Sequence, residues 1–402
     1  MTETAYDVAA FRARFPALRS GYAHFDGPGG SQVPAEVGRA VAETLTAPIA
    51  NRGTVTPAER FSDGIVGTAR QAMADLLGAD PRGIVFGRSM TQLTVDLART
   101  LARGWGPGDE VVVTRLDHDA NVRPWIIAAE RAGATIRWLD LDPATTELDD
   151  VATVLSARTR LVAVTGASNL VGTRPDLERI AGQVRETGAV FVVDAVHLTA
   201  HAPVDLAAIG ADVLLCSPYK FLGPHCGVLA AAPGFLEGLR PDKLLPSTDA
   251  VPERFELGTL PYELLAGTTA AVDVIASLGD GATRRDRLVA AMTAVEAHED
   301  RLRARIEKGL TRLDGVEVLS RAAHRTPTLL VRVPGGERRA YELLAERGVF
   351  APAGSFYAIE ASRRLGLGDT GALRIGLAPY SDDEDVDRLL EGLEHVCRTA
   401  SS

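Results

Sequence analysis

The sequence predicts an α/β protein: a mostly parallel sheet covered by helices on both faces, followed by a smaller C-terminal α/β domain. Three observations predict it. From residue 82 onward short apolar runs alternate with longer amphipathic ones, which is the rhythm of βαβ units. Residues 282–313 then form one long, charged, amphipathic segment that reads as a helix leaving the large domain. Beyond it a second, shorter set of apolar runs begins. The expected boundaries are an N-terminal segment, 1–30, a large domain, 31–281, and a linking helix with the small domain, 282–402. A chain of 402 residues is long enough for both domains.

In order along the chain, residues 5–16 read as a short helix. Ala23-His24-Phe25-Asp26 leads into Gly27-Pro28-Gly29-Gly30-Ser31, whose glycines let the backbone approach a ligand closely. Helices are expected at 34–46 and 57–78, with Asn51-Arg52-Gly53 between them. Strand 83–86 precedes a helix from 90 to 103, strand 110–114 precedes helix 121–132, and strand 135–139 precedes helix 148–156. Strand 160–165 and helix 175–187 follow. The apolar run 189–193 delivers Asp194, and the run 213–216 delivers Ser217-Pro218-Tyr219-Lys220. The small domain should hold an apolar run at 326–333, a helix at 337–347, short strands near 349–351 and 372–375, and a final helix at 382–398. Packing of the N-terminal segment against it stays open at this stage.

Composition narrows the function. A net charge of −10 argues against nucleic acid as a partner, because phosphate backbones need a basic face. Three cysteines, Cys216, Cys226 and Cys397, are too few for a disulfide framework and fit a reducing compartment. The N-terminus has no apolar signal region, and no run of about 20 apolar residues predicts a membrane span. A cytoplasmic protein is expected. No G-x-G-x-x-G follows the first strand of the alternating region, which argues against a nicotinamide enzyme.

Two parallel strands ending in an acid and a lysine would bring Asp194 and Lys220 to one sheet edge, where open α/β sheets bind ligands. A lysine there, backed by apolar strands and flanked by Gly223 and Gly227, is suited to a Schiff base with a carbonyl. An acid there is suited to pairing with a pyridinium nitrogen. The wording VDAVH…SPYKFLGPHCGVL, residues 193–229, resembles the pyridoxal-phosphate (PLP) signature of the class V aminotransferase and cysteine desulfurase family. The resemblance implies PLP fold type I with a seven-stranded sheet. It also implies PLP as cofactor, an amino acid as substrate, Lys220 as the cofactor's lysine and Asp194 as the partner of its ring nitrogen.

Other segments carry the same resemblance. Arg88-Ser89-Met90-Thr91 lies at a strand-to-helix turn, where free N–H groups suit a phosphate; taken alone, such a turn often carries Ser or Thr merely as a cap. It aligns with the family's phosphate loop, so Ser89, Met90 and Thr91 are cofactor candidates, with Ser217 and Tyr219. Many desulfurases read S-x-H-K where this chain has Ser217-Pro218-Tyr219-Lys220. Asp117-His118-Asp119-Ala120-Asn121-Val122-Arg123-Pro124-Trp125 resembles the family's ring-stacking motif, which makes His118 a cofactor contact and a catalytic acid/base. Ser168-Asn169-Leu170-Val171-Gly172-Thr173 resembles S-N-x-x-G-T, so Asn169 would meet the ring oxygen and the substrate carboxylate. His197 falls within reach of the same oxygen. Arg254-Phe255-Glu256-Leu257-Gly258-Thr259 resembles a segment whose Gly-Thr, here Gly258 and Thr259, reaches the partner subunit's cofactor phosphate, which implies a homodimer. Arg374, within Leu373-Arg374-Ile375-Gly376, would clamp the substrate carboxylate, and Arg52 is a weaker candidate for that task.

His197 and His201 are spaced i, i+4, yet no metal is expected, because catalytic zinc needs three protein ligands. The chain also departs from its family. Desulfurases pass sulfur to a cysteine on a small-domain loop; residues 349–358, VFAPAGSFYA, hold none. The expected reaction is therefore C–S cleavage of cysteine or a cysteine conjugate by β-elimination, without a persulfide. The alternatives are an aminotransferase or epimerase acting on another amino acid, and a PLP-binding protein without turnover.

Overall fold

The computed structural model describes residues 6–400. Seven strands form the central sheet: β1 (Ile84–Gly87), β2 (Glu110–Thr114), β3 (Thr135–Leu139), β4 (Thr159–Thr165), β5 (Val190–Asp194), β6 (Val213–Cys216) and β7 (Gly227–Ala231). Their spatial order is β1-β7-β6-β5-β4-β2-β3. All neighbours run parallel except those of β7, which is antiparallel to both β1 and β6. The central strands read as unbroken apolar runs because both faces are covered. Successive residues point to opposite faces. Phe191 and Val193 thus join one core with Val162, Val164 and Leu214, while Val192 joins the other with Leu161, Ala163 and Leu215. Each such Val, Leu or Phe side chain, buried, stabilises the fold by about 1.5–3 kcal/mol.

The linking helix runs Arg284–Leu310 and starts with a capping box between Thr283 and Asp286. Its buried stripe, Leu288, Ala291, Met292, Val295, Leu302, Ile306 and Leu310, follows helical spacing. Leu288, Ala291 and Met292 belong to the large-domain core, and Leu302, Ile306 and Leu310 to a separate core. One helix therefore serves two cores. The second core also takes Ala23 and Phe25, because Ala23–His24 pairs in parallel with Val349–Phe350. The N-terminal segment thus packs on both cores, since Phe11 and Phe15 belong to that of the large domain. The small sheet is antiparallel and includes Ala353–Gly354, Ala372–Gly376 and Thr328–Arg332.

Two expectations need correction, and one helix was not expected. Helix 148–156 is a single 3-10 turn, Val151–Thr153, capped by Asp150; Val151, Thr153 and Val154 are β-branched and gain little from helical packing. The first helix spans only Val8–Arg12, since Pro16 opens a separate 3-10 turn; residue 5 lies outside the described residues. The helix Tyr262–Ala276 escapes a periodicity reading because it is apolar nearly all round.

Candidate active site

The register of the sheet builds the site. Thr165 pairs with Asp194 and Asp194 with Leu215, so β4, β5 and β6 end level at their C-terminal edge. Beyond β6 a 3-10 turn, Pro218–Lys220, carries the lysine over that edge. The glycine-rich loop is pinned to this turn: the Ser31 N–H and hydroxyl both donate to the Tyr219 carbonyl, at 3.0 and 3.1 Å. A cavity of about 330 Å³ opens here, lined by residues of the sheet edge, the N-terminal loop and the small domain.

Asp194 is 4% exposed, and its Oδ1 accepts from the Val196 N–H at 2.9 Å. Burial pushes its carboxyl up to about 6. Lys220 Nζ donates to the Pro28 carbonyl and lies 4.6 Å from the Tyr219 ring centroid. Burial, and then the charge of Arg374, lower its ammonium to about 8, so a neutral amine is within reach near neutral pH.

The His118 motif is held by a chain of buried polar groups. Asn121 Nδ2 donates to Asp117 Oδ1 at 2.7 Å, and Trp125 Nε1 donates to Asn121 Oδ1 at 3.1 Å. Thr114 donates to the other Asp117 oxygen. Burial pushes Asp117 up to about 7. His118 Nδ1 accepts from the Ala120 N–H at 3.0 Å, which assigns the proton of the neutral ring to Nε2. Burial and the Lys220 charge lower it to about 4, so it is neutral at pH 7.

Opposite, His197 Nε2 lies 3.0 Å from both Thr326 Oγ1 and Thr328 Oγ1, while its Nδ1 is buried without a partner. Burial holds it far below the usual imidazole range. The His201 ring meets it edge-on at 4.7 Å, and His201 Nδ1 sits 2.8 Å from Glu299 Oε2 of the linking helix. Asn169 Nδ2 donates to the Phe356 carbonyl at 2.9 Å, and its Oδ1 is buried without a partner. Ser89 caps the helix Met90–Leu101 by accepting from the Gln92 N–H at 3.1 Å. That helix can start so close to the sheet because residue 227 is glycine: a Cβ there would lie 2.2 Å from the Ser89 carbonyl carbon.

Ser89, Met90, Thr91, His118, Asn169, Asp194, His197, Ser217, Tyr219, Lys220 and Arg374 all line the one cavity. Three residues singled out in the sequence do not. Arg52 is not among the lining residues, and its side chain makes ion pairs to Asp63 at 2.8 Å and Glu253 at 3.1 Å. Thr259 lines a separate groove with Arg88, Gln92 and Leu257, and Gly258 lies beside it, away from its own protomer's cavity. Asp26, Phe356 and Tyr357 are among the lining residues that the sequence reading did not name as site residues. Phe356 plates the Arg374 guanidinium at 3.6 Å, and Tyr357 stacks on His118 at 5.3 Å and 24°. Both have left-handed backbones, with φ of 51° and 60°, where bulky residues are strained. No sequence signal marks such a turn, whereas Asp26, next to the glycine-rich loop, could have been noticed. None of the three cysteines lines the cavity. Among the described residues no helix is long and apolar enough to cross a membrane.

Comparison with known proteins gives the family. The class V aminotransferase family matches residues 23–389. An uncharacterized protein of Mycobacterium tuberculosis is 33% identical over 97% of this chain and 99% of its own length. The aminotransferase-like protein FGM3 of Gibberella zeae is 30% identical over 98% of this chain and 100% of its own length. A probable cysteine desulfurase of Mycobacterium leprae is 31% identical over 97% of this chain and 96% of its own length. Among solved structures, the cysteine desulfurase CsdA of Escherichia coli superposes with a TM-score of 0.87 at 26% identity, covering 98% of this chain and 100% of that one. The chain belongs to the class V aminotransferase family of PLP-dependent, cysteine desulfurase-like enzymes.

Proposed function

We propose that this enzyme binds PLP at Lys220 and cleaves the C–S bond of cysteine or a cysteine conjugate by β-elimination. The observation that carries the reading is the pairing of Lys220 and Asp194 at one sheet edge, in a cavity without a cysteine to accept sulfur. The donor set fits the cofactor. It offers a lysine amine made easier to deprotonate, a buried carboxylate, a helix N-terminus and two polar atoms, His197 Nδ1 and Asn169 Oδ1, buried without partners.

When bound, PLP supplies an electron sink that stabilises negative charge at the α-carbon of an amino acid. The residues of this chain divide the remaining work. Lys220 would hold the cofactor aldehyde and, once released by substrate, take the α-proton at Nζ. Asp194 would hold the proton on the ring nitrogen, since a carboxylate beside it favours the charged ring. Ser89, Met90 and Thr91 at the helix start, with Ser217 and Tyr219, would bind the phosphate. Asn169 and His197 would meet the ring oxygen. Arg374 would hold the substrate carboxylate. Lys220, carrying the α-proton as an ammonium, would pass it to the departing sulfur, with His118 Nε2–H donating a hydrogen bond there; a free thiol leaves, and water then yields pyruvate and ammonia.

The outlying Gly258 and Thr259 support a homodimer in which each site borrows this loop from the partner subunit. Exposed Leu257, next to this loop, would then be covered by the second copy. A second reading, transamination, is favoured by the similarity to the aminotransferase-like protein FGM3. Incubation with cysteine and S-alkylcysteines separates the two. Elimination gives pyruvate, ammonia and thiol with no added acceptor. A keto acid that forms only when an acceptor is added would overturn it.

A further inference from the structure

The carboxylate seat at Arg374 is already occupied. Arg374 is 2% exposed, and its Nη2 lies 2.5 Å from Asp26 Oδ1. Its Nη1 donates to the Asn169 carbonyl at 3.1 Å, Phe356 covers its face, and Nε has no partner. A buried guanidinium without a counter-ion is costly, so the acid beside it balances the site while no substrate is present.

Asp26 is fitted to this position. Its backbone bridges Gly376, two residues beyond Arg374 on the same strand. Gly29 has no side chain where the carboxylate sits; a Cβ there would lie 2.3 Å from Asp26 Oδ2. Yet the acid is not enclosed. Its side chain is 46% exposed, so it has water to turn towards.

We infer that Asp26 is a specificity-determining residue that competes with an incoming carboxylate for Arg374. This rests on the substrate role proposed for Arg374. Two carboxylates on one buried guanidinium leave a net negative charge in a poorly solvated corner, so Asp26 must swing out or be neutralised. A ligand with a second carboxylate meets the same repulsion twice. The pocket therefore prefers monocarboxylic amino acids with neutral or cationic side chains over dicarboxylic ones.

The substitution Asp26→Asn keeps the shape and the acceptor oxygen and removes the charge. Calorimetric titration with two inert ligands, propanoate and glutarate, reads the effect directly. Affinity for propanoate should rise by about tenfold, and that for glutarate by more, because a like charge has been taken away. Loss of a merely structural contact would weaken binding, so a gain is specific. Unchanged or weaker binding overturns the inference. In an Arg374→Gln background the Asn substitution should add nothing; a persisting gain would mean that Asp26 acts elsewhere and would equally overturn it. The titration is run with and without added PLP, and cofactor uptake is read separately by absorbance. Failure of uptake therefore counts against the proposed function alone.

Discussion

The cavity has two walls of different origin. One is the sheet edge, with Asp194, Ser217 and Lys220 delivered by strand ends whose register leaves little freedom. The other faces it and is assembled from Asp26, Phe356, Tyr357 and Arg374, which come from opposite ends of the chain. The first wall is rigid because its strands are buried on both faces. The second depends on an ion pair with one exposed partner and on two strained residues in a row. The contrast teaches where chemistry and choice reside. On the proposed function, the sheet edge would supply groups that any PLP reaction needs, and the facing wall would decide which substrate is held there.

Variants on the two walls should therefore fail differently. The largest effect is expected at the sheet edge: Lys220→Ala should lower kcat by about a thousandfold or more for every substrate. A substrate-dependent loss would blur the contrast. On the facing wall, Arg374→Gln should raise KM by about 10–100-fold, the worth of one charged hydrogen-bonding pair, with cofactor occupancy unchanged. Steady-state kinetics and an absorbance titration check both halves. Gly227→Ala drives a methyl group into the Ser89 backbone and should weaken PLP binding by about 1–3 kcal/mol, the usual cost of overpacking. Equal PLP affinity in that variant would remove the helix start from the phosphate site. The smallest effect is expected at Tyr357, whose side chain is 75% exposed. Tyr357→Gly should relieve a left-handed backbone and stabilise the fold by up to about 1–2 kcal/mol, seen as a rise in Tm.

The same contrast explains what could be read from sequence. The sheet edge is legible because each of its features is local. Asp194 ends one apolar run and Lys220 lies four residues past another, and the His118 motif is tied together by Asp117, Asn121 and Trp125 at helical spacing. The facing wall is not legible, since Asp26 and Arg374 are 348 residues apart. A left-handed turn is normally announced by glycine or asparagine, and here it is made by Phe356 and Tyr357. Arg52 is the opposite case. An arginine beside a glycine looks free in sequence, whereas in the fold Asp63 and Glu253 hold it.

The central claim is a covalent one, and the chain makes it easy to test. It contains three lysines, Lys220, Lys243 and Lys308. Incubation with PLP, borohydride reduction and peptide mapping should place the label on Lys220 alone. The extent of labelling should rise with pH through about 8, because only the neutral amine attacks an aldehyde. Label confined to Lys243 and Lys308, or absent from all three, would contradict the account.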